Sequence, residues 1–237
     1  YLDFHDNHLF GDADYTYPMP DSGRNKIFFV YDDDQIVRVS GGFDIGAAGS
    51  TFGRLIFSQE IYDSIVHEGN TSYVYTQPER RYLMNDQPEM PVVYETNDQG
   101  RLIKVIRRTG EVFYYAWEDE KIIEMDRNGE TLRAFYMAGG NLVKVETVHI
   151  SSDGEPSTKK EVLFSDYDDA PNPLKNKFHI LGAFYRAFSN NNYRQKEIRK
   201  YEWEGEGWVR NGSYTVEYPM YYNGQGQPLY GDYAGAK

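Results

Sequence analysis

The sequence predicts a mainly β protein: an antiparallel meander of repeated hairpins in a curved or rolled sheet, with one packed α-helix. Three observations carry that expectation. The 237-residue chain holds 22 Tyr and 13 Phe, and it punctuates them with 22 Gly and 10 Pro, a balance that suits half-buried pleated surface joined by tight turns. An internal repeat of twenty residues recurs along the chain. Within each copy, apolar residues alternate with the period of two that places them on one face of a strand.

The repeat fixes the elements. Tyr115 to Met125 and Phe135 to Val145 align without a gap, each running aromatic, short acidic or Gly turn, two apolar residues, charge, apolar. Phe29 to Val39 fits the same template, and Tyr94 to Val105 fits it with one extra residue near Gly100. Each copy reads as a hairpin. A three-residue loop at Glu118 to Glu120 would place Phe113, Tyr115, Ile123 and Met125 on one face, and a loop at Ala138 to Gly140 would do the same for Phe135, Met137, Val143 and Val145. Gly140 then takes the left-handed position, which a Cβ disfavours. Between copies, Thr109-Gly110 and Asn128-Gly129 are hairpin turns, and residues 92 to 165 form one up-and-down meander with a further turn at Ser151 to Pro156.

Outside the repeats, residues 1 to 25 read as an irregular arm and 26 to 237 as a single all-β domain. Gly41 to Gly53 contains five glycines and reads as a loop. The alternation of Thr71 to Thr76 after Glu68-Gly69-Asn70 predicts another hairpin. Asn172 with Pro173 is a helix-start signal, and Leu174, Phe178, Leu181, Tyr185 and Phe188 fall on one stripe, so a helix is expected over 173 to 188. Strands resume from Lys196. Tyr201 and Trp203 face Trp208 across Glu204-Gly-Glu-Gly207, and a last turn falls at Asn223 to Gln227.

Charge and composition exclude several functions. A formal net charge of −12 and a pI near 4.9 oppose binding to nucleic acid, which needs clustered cations to displace counterions. Without cysteine there is no disulfide, zinc thiolate or thiol nucleophile. No apolar run reaches the roughly 20 residues that span a bilayer as a helix. The start at Tyr1 reads as a mature or trimmed chain, with any targeting segment upstream.

Asp3, His5, Asp6, His8, Asp12 and Asp14 offer metal-ligand chemistry, but they lack metalloprotease or EF-hand spacing and sit on a terminal arm. No metal and no cofactor are expected. Asp32 to Asp34 and Asp166 to Asp169 read as turn acids. Gly49-Ser50 lacks a nucleophile elbow, and no phosphate-binding glycine loop follows a strand. His67, His149 and His179 are isolated in sequence. No catalytic residue is assigned. The aromatic surplus is the remaining chemistry: Trp203, Trp208 and Tyr222 are the candidate binding residues, with flat apolar faces and polar tips suited to a sugar or peptide. The bland reading of the Trp pair is a cross-strand contact that stabilises its hairpin.

The tyrosine and Asp/Gly-turn repeats followed by Leu/Ile-Ile/Val-Lys-Val resemble the YD repeats of Rhs-type surface proteins. The segment Asp166-Tyr-Asp-Asp-Ala-Pro-Asn-Pro-Leu174 with Ser189-Asn-Asn-Asn192 resembles a family of uncharacterised secreted lipoproteins of Bacteroides-type bacteria that carry degenerate repeats of this kind. The resemblance covers the chain from about Phe28 onward. It implies an all-β protein of the cell envelope, a periplasmic or outer-membrane surface lipoprotein, with its lipid-bearing cysteine upstream of Tyr1, and it brings no catalytic residues. The copies are few and irregular, unlike the long arrays that form closed shells. The expected function is a non-catalytic envelope module, binding or structural, whose partner is a surface glycan or envelope protein. The alternative is a glycan-active hydrolase.

Overall fold

The computed structural model describes residues 27–33, 35–41, 62–77, 90–180, 184–217, 221–222 and 228–229. The acidic arm of residues 1 to 25, the glycine-rich loop after Gly41 and the turn at 223 to 227 lie outside the described residues.

Among the described residues, thirteen strands form one antiparallel sheet in which every strand pairs with its neighbours in sequence. They are β1 (Ile27–Asp32), β2 (Gln35–Gly41), β3 (Tyr62–Glu68), β4 (Thr71–Gln77), β5 (Val92–Thr96), β6 (Leu102–Ile106) and β7 (Val112–Glu118), followed by β8 (Lys121–Met125), β9 (Thr131–Ala138), β10 (Asn141–Ile150), β11 (Pro156–Tyr167), β12 (Tyr193–Trp203) and β13 (Trp208–Glu217). A separate two-stranded ladder joins β14 (Tyr221–Tyr222) to β15 (Pro228–Leu229). Among the described residues β1 and β13 do not pair with each other, so the sheet is open.

The expected turns are in place, and one chemistry recurs in them. At 97–101, 107–111, 126–130 and 151–155 the first residue's amide donates to the carbonyl of the fifth, and the glycine at the fourth position donates back to the first. Gly100, Gly110, Gly129 and Gly154 all take positive φ there. Asn97 and Asp126 add side-chain oxygens that accept two backbone amides each, the local bonding that favours these residues in turns.

The expected register of two hairpins differs by one residue. Glu118 pairs with Lys121 and Ala138 with Asn141, so both loops are two residues long. Ile122 and Glu124, not Ile123 and Met125, face inward with Phe113 and Tyr115. In β10, Leu142 and Val145 are buried and Val143 is not, because the register shifts at Val143. A one-residue shift swaps the two faces of a strand. Equivalent shifts fall at Val37 in β2 and Ile103 in β6. In these three copies the bulge lets the first and fourth residues of the motif both point inward, Ile36 with Val39, Leu102 with Val105 and Leu142 with Val145.

The expected helix is absent: the described residues between β11 and β12 hold turns and one 3-10 turn, Arg186–Phe188. Amides of Lys175, Lys177 and Ile180 bond carbonyls three residues back, and Asn176 has φ 61°, outside helical geometry. Asn172 gives the start signal its meaning. Its Oδ1 accepts the Leu174 amide while its Nδ2 donates to the carbonyls of Arg186 and Ser189, closing the segment on itself. The physical reason is burial. Phe178, Ile180, Phe184, Tyr185, Ala187 and Phe188 are all buried, more apolar surface than one stripe of a helix can cover.

This connection is a plug on the inner face of the sheet. Phe188 meets Trp117 of β7 and Phe135 of β9, Tyr185 meets Phe164 of β11, and His179 meets His67 of β3. It is tied at the β9–β10 turn, where Asn190 donates to the Gly140 carbonyl, Asn191 and Asn141 exchange bonds, and the Leu142 amide donates to Ser189 Oγ.

Candidate functional site

Two regions hold the candidate binding residues. At the turn end of β12–β13, Trp203 and Trp208 pair directly across the strands, their rings 5.2 Å apart and steeply inclined. Tyr201 lies two residues before Trp203 and so shares its face, and Lys159 of β11 pairs opposite Tyr201. The Lys159 ammonium stands 4.5 Å from the Tyr201 ring and 5.5 Å from the Trp208 ring, a cation–π arrangement. It also binds Glu161 at 2.9 Å, and the Tyr201 hydroxyl donates to the same carboxylate at 2.8 Å. Burial pushes the Tyr201 phenol up, and the Glu161 carboxylate pushes it further. Burial alone would raise Glu161, but Lys159 and Tyr201 together hold its carboxyl below the usual range. The result is a half-buried aromatic cluster with an ordered cation and anion at its side.

This outer face mixes ion pairs with exposed apolar and aromatic side chains such as Val30, Val66 and Tyr114. Glu95 binds Lys104, Lys144 binds Glu146 and lies 4.1 Å from the Tyr136 ring, and Glu197 binds Arg199 through two bonds of 2.7 and 2.8 Å. Such cross-face charges are at home in water and costly against lipid. Across β7, β9 and β11 the inner face is covered by the plug's aromatic rings.

Tyr222 belongs to the other end of β12. Its hydroxyl donates to Asp168, which also accepts from the backbone and side chain of Asn192. Burial and then Asp168 push the Tyr222 phenol up to about 12. Arg194 beside it donates to Asp166 at 2.6 Å. Since β12 runs from Tyr193 to Trp203, Tyr222 and the Trp pair stand roughly 30 Å apart at 3.3 Å per residue. The structure therefore joins Trp203 and Trp208 with Tyr201, Lys159 and Glu161, and places Tyr222 elsewhere. Asp166 and Asp168 act as local ion-pair and hydrogen-bond partners, and among the described residues no group of three or more His, Asp or Glu is placed to hold a metal.

Two constellations escaped the sequence. Glu124 of β8 and Arg133 of β9 form a fully buried pair, 2.6 Å at the closest, on the inner face, and Arg133 also donates to the Tyr185 hydroxyl of the plug. Burial opposes the guanidinium charge, but Glu124 outweighs it and holds the arginine protonated. His67 and His179, 112 positions apart in sequence, stack edge to face at 5.1 Å. A signal for the first exists: Glu124 is an acid where the other copies carry Arg38, Lys104 and Lys144.

No protein-family model matches the chain, and no curated protein matches it. Among solved structures it is similar to a porin-like protein from Bacteroides vulgatus, at 12% identity and a TM-score of 0.41 over 81% of this chain and 87% of that one. It is also similar to a porin-like protein from Bacteroides uniformis, at 9% identity and a TM-score of 0.43 over 85% of this chain and 78% of that one. What the described geometry defines by itself is a mainly β module: an open antiparallel meander with a plug on its inner face and an outer face that mixes ion pairs with exposed apolar and aromatic side chains.

Proposed function

We propose that this protein is a non-catalytic module of the cell envelope that works by displaying the outer face of its sheet, and that it binds a surface glycan or envelope protein through Trp203, Trp208 and Tyr201. The observation that carries the reading is the cluster at the end of β12–β13, where three aromatic side chains share one face with an ordered ammonium and carboxylate. Aromatic faces stack on the apolar faces of sugars, and flanking charges supply donors and acceptors for hydroxyls. The plug supports the absence of turnover, because aromatic side chains occupy the inner face where a substrate cleft would otherwise form. The resemblance of the repeats to YD-type surface lipoproteins supports the envelope location, with a lipid anchor upstream.

A glycan array, followed by titration with each positive glycan, tests the reading. Trp208→Ala is expected to weaken binding by about tenfold or more, a loss of about 1.4 kcal/mol, with the circular dichroism spectrum unchanged. Tyr222→Phe should bind as the parent does. Turnover of a glycan substrate that one carboxylate substitution abolishes, with the fold intact, would defeat the non-catalytic reading.

A further inference from the structure

A bulge in the last hairpin decides which face Arg210 occupies. Ser213 pairs with Arg199 and Gly212 with Lys200, but Tyr201 pairs with Arg210, so Asn211 is an extra residue between them. Its Nδ2 donates to Glu202 at 2.7 Å, which holds the bulge. In strict alternation Arg210 would share the inner face with Gly212. The extra residue turns it outward instead, across from Tyr201 and two residues after Trp208, the re-aiming of a side chain that bulges bring about. Arg210 is exposed there, and its Nη2 donates to Ser213 Oγ on the same face at 3.0 Å.

The other charges of the cluster are occupied. Glu161 accepts from Lys159 at one oxygen and from Tyr201 at the other, and the Glu161 and Lys159 side chains are only 12% and 15% exposed. Glu197 accepts from Arg199 at both oxygens. Arg210 differs: among the described residues it has no ion pair and spends one hydrogen bond, on Ser213. Its charge reaches Glu197 only as a lesser influence behind the bonds from Arg199, which do most to hold that carboxyl below its usual range. Two further carboxylates, Glu204 and Glu206, belong to the turn beyond the tryptophans. Glu204 is three residues past Tyr201, so both lie roughly 10 Å or more from Arg210, about one Debye length. We infer, on the footing of the binding role proposed above, that the cluster takes a sugar with one carboxylate, its ring stacked on Trp208 and its carboxylate held by Arg210. Trp208 and Arg210 are roughly 7 Å apart along the strand, the reach of a ring's exocyclic acid plus a hydrogen bond. A guanidinium fork matches the two oxygens of a carboxylate. Glu204 and Glu206 repel acid at the turn end, so the ligand's charge belongs at its Arg210 end alone.

NMR titration of the full chain tests the assignment with three probes: methyl β-glucuronide, its methyl ester, which keeps the shape and loses the charge, and methyl β-glucoside. The acid should bind roughly tenfold or more tightly than either neutral sugar, the scale of a hydrogen bond to a charged group, and should shift the amides of residues 208 to 213. Raising the salt from about 0.05 M to about 0.5 M should weaken the acid several-fold and leave the neutral sugars unchanged. Arg210→Gln should bring the acid down to the neutral sugars, and Arg210→Lys, which keeps the charge without the fork, should recover part of the preference. Trp208→Ala should weaken all three. Equal affinity for acid and ester in the parent, or an undiminished preference in a folded Arg210→Gln variant, overturns the carboxylate assignment. So does a sugar sulfate, or an oligouronate, bound roughly tenfold more tightly than the single acid. In each of these cases the glycan reading survives if binding still depends on Trp208, whereas a chain that binds no sugar at all defeats both.

Discussion

Hairpins β7–β8 and β9–β10 come from stretches that align without a gap, yet they are built differently. In β9–β10 the register shifts at Val143, so Lys144 turns outward to Glu146 and Tyr136 while Leu142 and Val145 both face the core. In β7–β8 there is no shift, and strict alternation drives Glu124 inward beside Ile122. The difference is one of charge placement. Where the motif carries Arg or Lys at its third position, a bulge turns that cation to the outer face, and Lys104 and Lys144 form ion pairs there. Where it carries Glu, the strand stays straight and the acid meets Arg133, inward on the next strand. A repeat can thus keep its sequence pattern while register decides which residues form its core.

The straight hairpin is the place to break this comparison. Glu124→Ala leaves Arg133 buried without its carboxylate and should cost about 3 to 5 kcal/mol in a urea melt, the scale for removing one partner of a buried pair. Replacing the set with apolar residues, Glu124→Leu with Arg133→Met and Tyr185→Phe, should recover most of that loss. If the single variant loses less than about 1 kcal/mol, the pair is wetter than its geometry implies. A triple variant as unstable as the single one would mean that the polar set specifies how the plug docks.

How much of this was legible follows from the same two hairpins. Strand order, the turns at Thr109-Gly110, Asn128-Gly129 and Ser151 to Pro156, and the pairing of Trp203 with Trp208 are local, and a turn dipeptide between alternating segments contains the information. The bulges at Val37, Ile103 and Val143 are not local, because a run of two apolar residues, a charge and an apolar residue fits either register until the neighbouring strands are known. The segment after Asn172 misled for a related reason. Its cap residue and stripe suit a helix, but the covering demanded by the inner face overrode propensity, and Asn172 spends its amide on Arg186 and Ser189 instead. Tyr222 lies near the tryptophans in sequence. Strand length separates them.

The bulged hairpin offers a second test, at its turn. Gly139 and Gly140 both have positive φ, but only Gly140 is crowded: a Cβ there would lie 2.1 Å from Asn190 Nδ2, whereas at Gly139 nothing lies within 4 Å. Gly140→Val is expected to cost about 1 to 3 kcal/mol from backbone strain alone, and to loosen the plug where Asn190 bonds the Gly140 carbonyl. Gly139→Asn should be nearly neutral, since Asn tolerates the left-handed region. Equal denaturation midpoints for the two variants would remove the plug from the account of this turn.

The smallest effect is expected at the turn that joins the straight hairpin to the bulged one. Asp126 ends β8, and its Oδ1 accepts the amides of Glu130 and Asn128 while Oδ2 accepts the Asn128 side chain. These bonds, that from Glu130 first, hold its carboxyl below the usual range against a weaker opposing effect of burial. A carboxyl depressed in the folded state stabilises the fold above its ordinary value and gives that stability up as pH falls through the depressed one. Asp126→Asn keeps an acceptor and cannot titrate. The parent should therefore melt slightly higher than the variant near pH 7, and the gap should close at about pH 2, below the ordinary aspartate value. A gap that persists unchanged in acid would show that the turn is held by the shape of the Asx side chain and not by its charge. The charge-placement argument would then apply to the strands alone.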